Sequence, residues 1–259
     1  MAGKLIDAAR LALVMLGVVA TVACAEVSAS SSNAQRDSLH ALAVPAGPVV
    51  IGDHEGQYDE KPPIRVYVSA FRIDRCEVSR DRYDVCVAAG KCAASRTKGP
   101  ANHPVTGVTW TDAANFCRFS GGRLPTEAEW EKAARGDDQR RFPWGNASAV
   151  GKANCGRGCG VQAQGPRPCG AFPAGASAFG AMDMGGNVSE WVADWYGEGY
   201  FRTCCGSGKT RDPKGPVTGI YRSVRGGEYT QEYTVLRAAN RYWGAPDGYH
   251  ERRGFRCAR

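Results

Sequence analysis

The stretch GRLPTEAEWE, residues Gly122–Glu131, carries the clearest local signal in the chain. Thr126 and Glu129 have the spacing of a capping box, in which each side chain bonds the backbone N–H of the other residue. Gly136 then supplies a stop signal after a run of good helix formers. This stretch therefore predicts a helix over Glu127–Arg135.

Regular elements on either side of this helix are predicted to be few and short. One helix runs from a Ser79 cap to Gly90, and another follows Thr111 and stops at Gly121. Three shorter elements, two strand regions and then one short helix, are expected at Pro48–Gly52, Ile64–Ile73 and Ser189–Trp195. Glycine, proline and asparagine punctuate the remainder, which favours loops.

The composition agrees with a loop-rich domain and excludes several classes of protein. Glycine and proline supply 33 and 14 of the 259 residues, well above their usual combined share of about 12%. This excess argues against a helical bundle, and a hydrophobic content of 43% argues against disorder. The net charge of +7 comes from 33 basic residues dispersed among 26 acidic ones, so we expect no nucleic-acid partner.

Residues 1–25 have the features of an export signal, because a basic start precedes an apolar run at Leu11–Ala23 that is short for a membrane span. Two cleavage sites compete. The Ala-x-Ala triplet ending at Ala25 would release the protein, whereas Thr21–Cys24 resembles a lipobox that would leave Cys24 lipidated. The sequence therefore predicts an exported protein, either in the periplasm, attached to the outer membrane as a lipoprotein, or secreted. A lipid anchor at Cys24 is the one membrane contact that we expect.

A serine-rich linker covers residues 26–40, and a single domain covers residues 41–259. Either reading of the export signal removes Cys24 from pairing and leaves ten cysteines, an even number. Disulfides persist outside the cytosol, so we expect these ten cysteines to cross-link the loops.

Six segments of this domain form a recognisable series. They occur in the order HPVTGVTW (103–110), GRLPTEAEWE (122–131), FPWGN (142–146), GNVSEW (186–191), RGG (225–227) and GFRC (254–257). Together they resemble the formylglycine-generating enzyme family, also called sulfatase-modifying factors, over about Val44–Arg259. The resemblance implies an α+β fold, the C-type-lectin-like variant of the formylglycine-generating enzyme fold, with little regular secondary structure and many loops.

The best-known activity of that family oxidises a sulfatase cysteine to formylglycine with copper and dioxygen. The resemblance places its two copper-binding thiolates a few residues after a Gly-Gly-Ser-like turn. The corresponding run here, GGEYTQEYTVLR at 226–237, contains no cysteine, and Glu228 replaces the serine. Because Cu(I) prefers thiolate ligands, we expect neither a copper site nor the oxidase activity. The four histidines include no i, i+4 pair, so we do not expect an iron site of the kind that other family members use.

A cleft is expected where the copper site would have been. The candidate lining residues are Glu228, Tyr229, Gln231, Glu232, Tyr233 and Arg252. Arginines and aromatic residues crowd the last 40 residues, a mixture that suits a ligand-binding surface. We assign three other arginines to the scaffold instead, where they would bond carbonyls and acidic residues: Arg237, Arg241 and Arg256.

The segment DMGGNVSE, residues 183–190, has the chemistry of a calcium site. Asp183 and Glu190 offer carboxylates, and the adjacent glycines allow backbone carbonyls to turn inward, which suits a hard cation that takes six to eight oxygens. The resemblance implies four ligands: Asp183, the carbonyls of Gly186 and Val188, and Glu190. The alternative is a polar turn without a metal.

The resemblance also implies a disulfide between Cys117 and Cys257, and the Cys86–Cys92 pair looks like a local clip at a helix end. Six other cysteines allow 15 connectivities, and these are Cys76, Cys155, Cys159, Cys169, Cys204 and Cys205. We expect the adjacent Cys204 and Cys205 to bond separate partners. The alternative is that both are free thiolates of a relocated metal or redox centre.

Three hypotheses for function follow. The leading one is a noncatalytic, calcium-stabilised and disulfide-bonded module that binds a peptide, protein or glycan. The second is a metal-dependent oxidoreductase of the same family acting on a peptide or small thiol, with its metal near Glu228, Gln231 and Glu232 or on the adjacent cysteines. The third is a structural envelope protein, which would have no cleft near Glu228.

Overall fold

The computed structural model describes residues 41–205 and 210–259. The predicted export signal, linker and lipid anchor fall within residues 1–40 and lie outside the described residues. The strands are β1 Ala41–Val44, β2 Gly47–Ile51, β3 Ile64–Val68, β4 Phe71–Asp74, β5 Ser189–Trp195, β6 Arg222–Arg225, β7 Tyr242–Gly244 and β8 Arg253–Phe255. The helices are α1 Arg80–Ala88, α2 Trp110–Phe119, α3 Glu127–Arg135 and α4 Tyr200–Cys205, with short 3-10 turns at Tyr58–Glu60, Pro173–Gly175 and Tyr233–Val235.

The strands form three small sheets joined by long loops. β1 pairs with β4 and β2 pairs with β3, both antiparallel. The third sheet has the order β7-β6-β5-β8, in which β5 and β8 run parallel and the other neighbours antiparallel. This loop-rich α+β architecture confirms the predicted fold class. In the described part of the chain, no helix is long and apolar enough to cross a bilayer.

The helix predictions for α1 and α3 are confirmed, but only α3 has the predicted side-chain cap, since Ser79 precedes α1 without a capping bond. Thr126 Oγ1 accepts a bond from the Glu129 N–H at 3.2 Å, and Glu129 Oε2 accepts one from the Thr126 N–H at 2.8 Å. α2 begins at Trp110 rather than after Thr111, because Thr109 caps it within a second capping box.

Ser189–Trp195 forms β5, so the prediction of a short helix there is wrong. β5 lies inside the third sheet, with β6 on one side and β8 on the other. Its first four residues are buried, and Trp191 Nε1 donates to the Val108 carbonyl at 3.1 Å. Pairing with strands distant in sequence therefore overrides the local preference. The expected Ile64–Ile73 strand is also two strands, β3 and β4.

Buried ion pairs connect the loops to the regular elements. Arg237 Nη2 donates to Glu60 Oε1 at 2.7 Å, Arg241 Nε to Glu127 Oε1 at 2.7 Å, and Arg256 Nη2 to Glu190 Oε1 at 2.6 Å. These bonds confirm the scaffold role predicted for the three arginines. Apolar residues pack around them in two main clusters, one containing Trp130 and one containing Trp191.

All ten cysteines of the described domain are paired. The bonds are Cys76–Cys169, Cys86–Cys92, Cys117–Cys257, Cys155–Cys159 and Cys204–Cys205. The second and third bonds are the two pairs named from the sequence. The expectation that Cys204 and Cys205 bond separate partners is wrong, because the other cysteines pair among themselves and these neighbours bond each other at the end of α4.

Candidate functional site

A cleft of about 640 Å³ opens between the 3-10 turn at Tyr58–Glu60, the loop after β6 and the loop that leads into β8. Three of the six predicted lining residues face it, namely Glu228, Gln231 and Arg252. The cleft therefore lies beside the turn that follows β6.

The other three predicted residues do not line the cleft. Glu232 forms an exposed ion pair with Arg157. Tyr233 lines a second groove and packs near Phe142, with 6.0 Å between ring centroids. Tyr229 is absent from the cleft wall and donates its backbone N–H to the Asn187 carbonyl at 3.0 Å.

The polar groups at the base of the cleft are held by bonds within their own turn. The Glu228 carboxylate accepts bonds from the Thr230 hydroxyl at 2.6 Å and the Thr230 N–H at 2.8 Å. Gln231 Oε1 accepts a bond from the Glu228 N–H at 3.0 Å. These groups therefore shape the turn. Burial raises the pKa of the adjacent Tyr242 to about 12, so its hydroxyl keeps its proton at neutral pH.

An aromatic wall, formed by Trp243 and Tyr196 with Tyr221 packed against Trp243, borders the cleft on another side. Trp243 is 51% exposed, and its ring centroid lies 4.5 Å from that of Tyr221 and 6.4 Å from that of Tyr196. The Tyr196 hydroxyl donates to Asp59 Oδ2 at 2.8 Å, which fixes the turn across the cleft. Sequence reasoning noted the C-terminal aromatic residues but gave no signal for the Gln57–Asp59 wall.

The third wall is basic and comes from the loop before β8. Arg252 Nε lies 3.4 Å from Glu228 Oε2, and its Nη1 lies 2.9 Å from Glu251 Oε1, so the charge of Arg252 is neutralised. Burial, with the neighbouring Arg253 and Arg252, lowers the pKa of His250, and the ring is neutral at pH 7. The backbone N–H of Arg252 donates to Nδ1 of His250 at 3.2 Å, which leaves the proton of the imidazole ring on Nε2.

The predicted calcium ligands lie on the turn before β5 and at the start of that strand. Asp183 is 7% exposed, and its Oδ2 is buried without a hydrogen-bond partner among the described residues. Glu190 Oε1 accepts a bond from Arg256, and its Oε2 accepts one from Trp130 Nε1 at 2.8 Å. The carboxylates of Asp183 and Glu190 are therefore both buried, and one of them has an unused oxygen.

Two buried carboxylates near this turn resist ionisation. Burial raises the pKa of Asp183 to about 6. Burial, with the neighbouring Asp183 and Glu190, also holds the pKa of Glu77 well above its usual range. Three buried carboxylates therefore face the single guanidinium of Arg256, a balance that fits a bound cation. Within the described ranges, no three His, Cys, Asp or Glu side chains are grouped to hold a metal, so backbone carbonyls would complete the ligand set.

Loop-rich α+β architecture and this cleft place the chain in the class of proteins with the formylglycine-generating enzyme fold. The chain belongs to the sulfatase-modifying factor enzyme 1-like domain family, whose sequence profile matches residues 27–259. A solved structure of PvdO from Pseudomonas aeruginosa shares the fold, with a TM-score of 0.72, 26% identity, and coverage of 85% of this chain and 93% of PvdO.

Two curated relatives illustrate the range of the family. Serine/threonine-protein kinase pkn1 from Chlamydia caviae is 33% identical over 239 residues, which are 83% of this chain and 37% of pkn1. Formylglycine-generating enzyme from Thermomonospora curvata is 40% identical over 172 residues, which are 61% of this chain and 55% of that enzyme. The chain thus spans about a third to a half of the length of these relatives.

Proposed function

We propose that this protein is an exported, noncatalytic member of its family that binds a peptide segment, free or within a protein, in the cleft. The observation that carries the proposal is the composition of the cleft. An exposed aromatic wall and a basic wall flank a turn whose carboxylate and amide are already bonded to their own backbone. Tyr, Trp and Arg are the residues that dominate protein recognition sites.

The pairing of the cysteines supports a noncatalytic role. The family's copper chemistry needs two thiolates, and disulfide sulfurs do not supply them. The five bonds account for every cysteine of the described domain. Five disulfides in one domain also support export, since such bonds persist outside the cytosol.

Calcium is proposed as a structural ion at the turn before β5. The unused Oδ2 of Asp183 and the excess of buried carboxylates support it, because a divalent cation would satisfy both. Asp183, Glu190 and the carbonyls of Gly186 and Val188 would hold the ion. It would fix the turn from which β5 departs, and so the strand behind the cleft.

An oxidoreductase acting on a peptide or small thiol is the second candidate. Two observations favour it: the 40% identity to a formylglycine-generating enzyme, and the adjacent Cys204–Cys205 pair, which reduction would convert to two thiols. Cys204 is half-buried and Cys205 is buried. Copper or iron that copurifies with the protein, together with consumption of dioxygen in the presence of a thiol peptide, would favour this candidate over the binding module.

Binding to arrays tests the proposal. The purified full chain is applied to an array of acetylated hexapeptides and to a glycan array, beside the variants Trp243→Ala and Tyr249→Ala. Both aromatic residues are exposed, but Tyr249 does not line the cleft. We expect peptide binding that Trp243→Ala weakens by about thirtyfold, the effect of an interface hot spot, and that Tyr249→Ala leaves unchanged. Binding to glycans alone, or to neither array, would overturn the proposal.

A further inference from the structure

Arg253 differs from the buried arginines of the scaffold, because it has no acidic partner. Arg225, Arg237, Arg241 and Arg256 each bond a glutamate. In residues 41–205 and 210–259, by contrast, no carboxylate or other acceptor bonds the guanidinium of Arg253, and its Nε is buried without a partner. An unpaired and largely desolvated charge opposes folding. The scaffold therefore gives no reason for an arginine at this position.

The position of this guanidinium is fixed by its surroundings. Arg253 begins β8, and its Cζ lies 4.5 Å from the centroid of the Trp191 ring, within the range of a cation–π contact. Its Nη1 occupies the space that a Cβ at position 244 would fill, so Gly244 is needed for this placement. Arg253 lines the same cleft as the aromatic wall. The structure therefore fixes in the cleft wall a guanidinium whose N–H donors have no acceptor among the described residues.

The charges around Arg253 select the kind of anion. Arg252 is already neutralised by Glu228 and Glu251, and His250 is a neutral donor at Nε2. Acidic side chains, Glu228, Asp59 and Glu198, also line the cleft. A doubly charged phosphate would leave one negative charge uncompensated at Arg253, the one guanidinium of the described cleft lining without a hydrogen-bond partner, whereas a carboxylate matches the planar guanidinium in both charge and shape.

We propose that Arg253 binds a carboxylate of the peptide that occupies the cleft, with Trp243 contacting an adjoining part of the same peptide. This inference rests on the proposed peptide-binding function and names the group that is recognised. The carboxylate can belong to the peptide's C-terminus or to an aspartate or glutamate side chain. Both sources present the same planar anion to the guanidinium.

Matched peptides test the inference. Each hexapeptide that binds the full chain is made as C-terminal acid and carboxamide, and with Asp or Glu exchanged for Asn or Gln. We expect at least one exchange to weaken binding about tenfold or more, as for the loss of a charged hydrogen bond. Loss on C-terminal amidation would assign the C-terminus, and loss on the side-chain exchange would assign the side chain.

Variants of the protein link the effect to Arg253. Arg253→Met should remove the preference for the carboxylate, and Arg253→Lys should lose most of it, because an ammonium lacks the planar shape of the guanidinium. Arg65→Met, which removes the same charge from an exposed site on β3, should retain it. The melting temperature of Arg253→Met should be no lower than that of the wild type, since an unpaired charge is removed.

Three results would overturn the inference. Equal binding by the wild type across every exchange, both at the C-terminus and at the side chains, would do so and leave the peptide-binding function standing. An unchanged preference in Arg253→Met would have the same consequence. Binding of phosphopeptides or of uronic-acid glycans through Arg253, without binding of carboxylate peptides, would replace the ligand class. A chain that binds no peptide at all refutes the proposed function itself.

Discussion

Glu127 is the acidic centre of the scaffold, and replacing it with glutamine tests the role of the buried arginines. Glu127 is 1% exposed, and its Oε1 accepts bonds from Arg225 Nη1 at 3.0 Å and Arg241 Nε at 2.7 Å. Its Oε2 accepts bonds from Ser223 Oγ at 2.9 Å and Arg241 Nη2 at 3.0 Å. Glu127→Gln keeps the shape, removes the charge and leaves Arg241 without its carboxylate partner.

Two arguments give the loss of folding stability expected for Glu127→Gln. Breaking a buried ion pair by neutralising one partner costs about 3–5 kcal/mol. Burial opposes ionisation of Glu127, but the Arg241 and Arg225 charges outweigh it and lower the pKa from 4.5 to about 2. At about 1.4 kcal/mol per pKa unit, this depression corresponds to about 3 kcal/mol of stability.

The lowered pKa also fixes the direction of the pH dependence. The contribution of Glu127 is fully present above its unfolded-state pKa of about 4.5 and is lost as the pH falls through about 2. The free energy of unfolding of the wild type should therefore contain an acid-sensitive part that Glu127→Gln lacks. Urea unfolding followed by tryptophan fluorescence at pH 7 and pH 3 measures both quantities.

A surface variant provides the control. Glu55 pairs with Arg141 at 3.3 Å, and both side chains are exposed. Glu55→Gln should cost less than about 1 kcal/mol, as exposed ion pairs do. Loss of a buried pair should cost about 3 kcal/mol or more. The reasoning would be refuted if the free energies of unfolding of Glu127→Gln and Glu55→Gln at pH 7 differed by less than about 1 kcal/mol. It would also be refuted if Glu127→Gln kept the acid dependence of the wild type.

Three further predictions concern the metal and the cysteines. Calcium at a hundred times its dissociation constant should stabilise the fold by about 2.7 kcal/mol, which raises the melting temperature by about 5–10 °C. Calcium should not change the melting temperature of Asp183→Ala, and an unchanged melting temperature of the wild type would argue against the site. Alkylation without reduction, read by peptide mass spectrometry, should label no cysteine of residues 41–259, and labelling of the pair at the end of α4 would contradict this. Alanine substitution of both Cys117 and Cys257, which are 140 residues apart, should lower the free energy of unfolding in urea by about 5 kcal/mol. The same substitution of Cys86 and Cys92, which are 6 residues apart, should lower it by about 2 kcal/mol, and equal losses would count against loop closure as the cause.

The parts of the fold that could be predicted from the sequence depend on local signals. α3 follows from Thr126, Glu129 and Gly136, all within eleven residues. β5 could not be predicted in this way. Its polar residues have partners far along the chain, and Asp194, for example, accepts a bond from the Glu127 N–H at 2.8 Å across 67 residues. Such partners decide the conformation of β5 but leave no periodic pattern in its own sequence.

The candidate site divides in the same manner. Glu228, Gln231 and Arg252 could be predicted because they sit beside recognisable family motifs. Asp59 reaches the cleft through a bond from Tyr196, 137 residues away, and no local pattern reports it. The lack of an acidic partner for Arg253 is a property of the folded molecule. It becomes visible only when the positions of all the neighbouring carboxylates are known.

Hydrogen–deuterium exchange of the full chain, with and without its tightest-binding hexapeptide, tests whether the cleft is the binding site. The proposed function predicts protection of backbone amides in three segments that are distant in sequence, residues 57–59, 228–231 and 242–253. Protection confined to the groove that contains Phe142 and Tyr233, or no protection despite measurable binding, would contradict it.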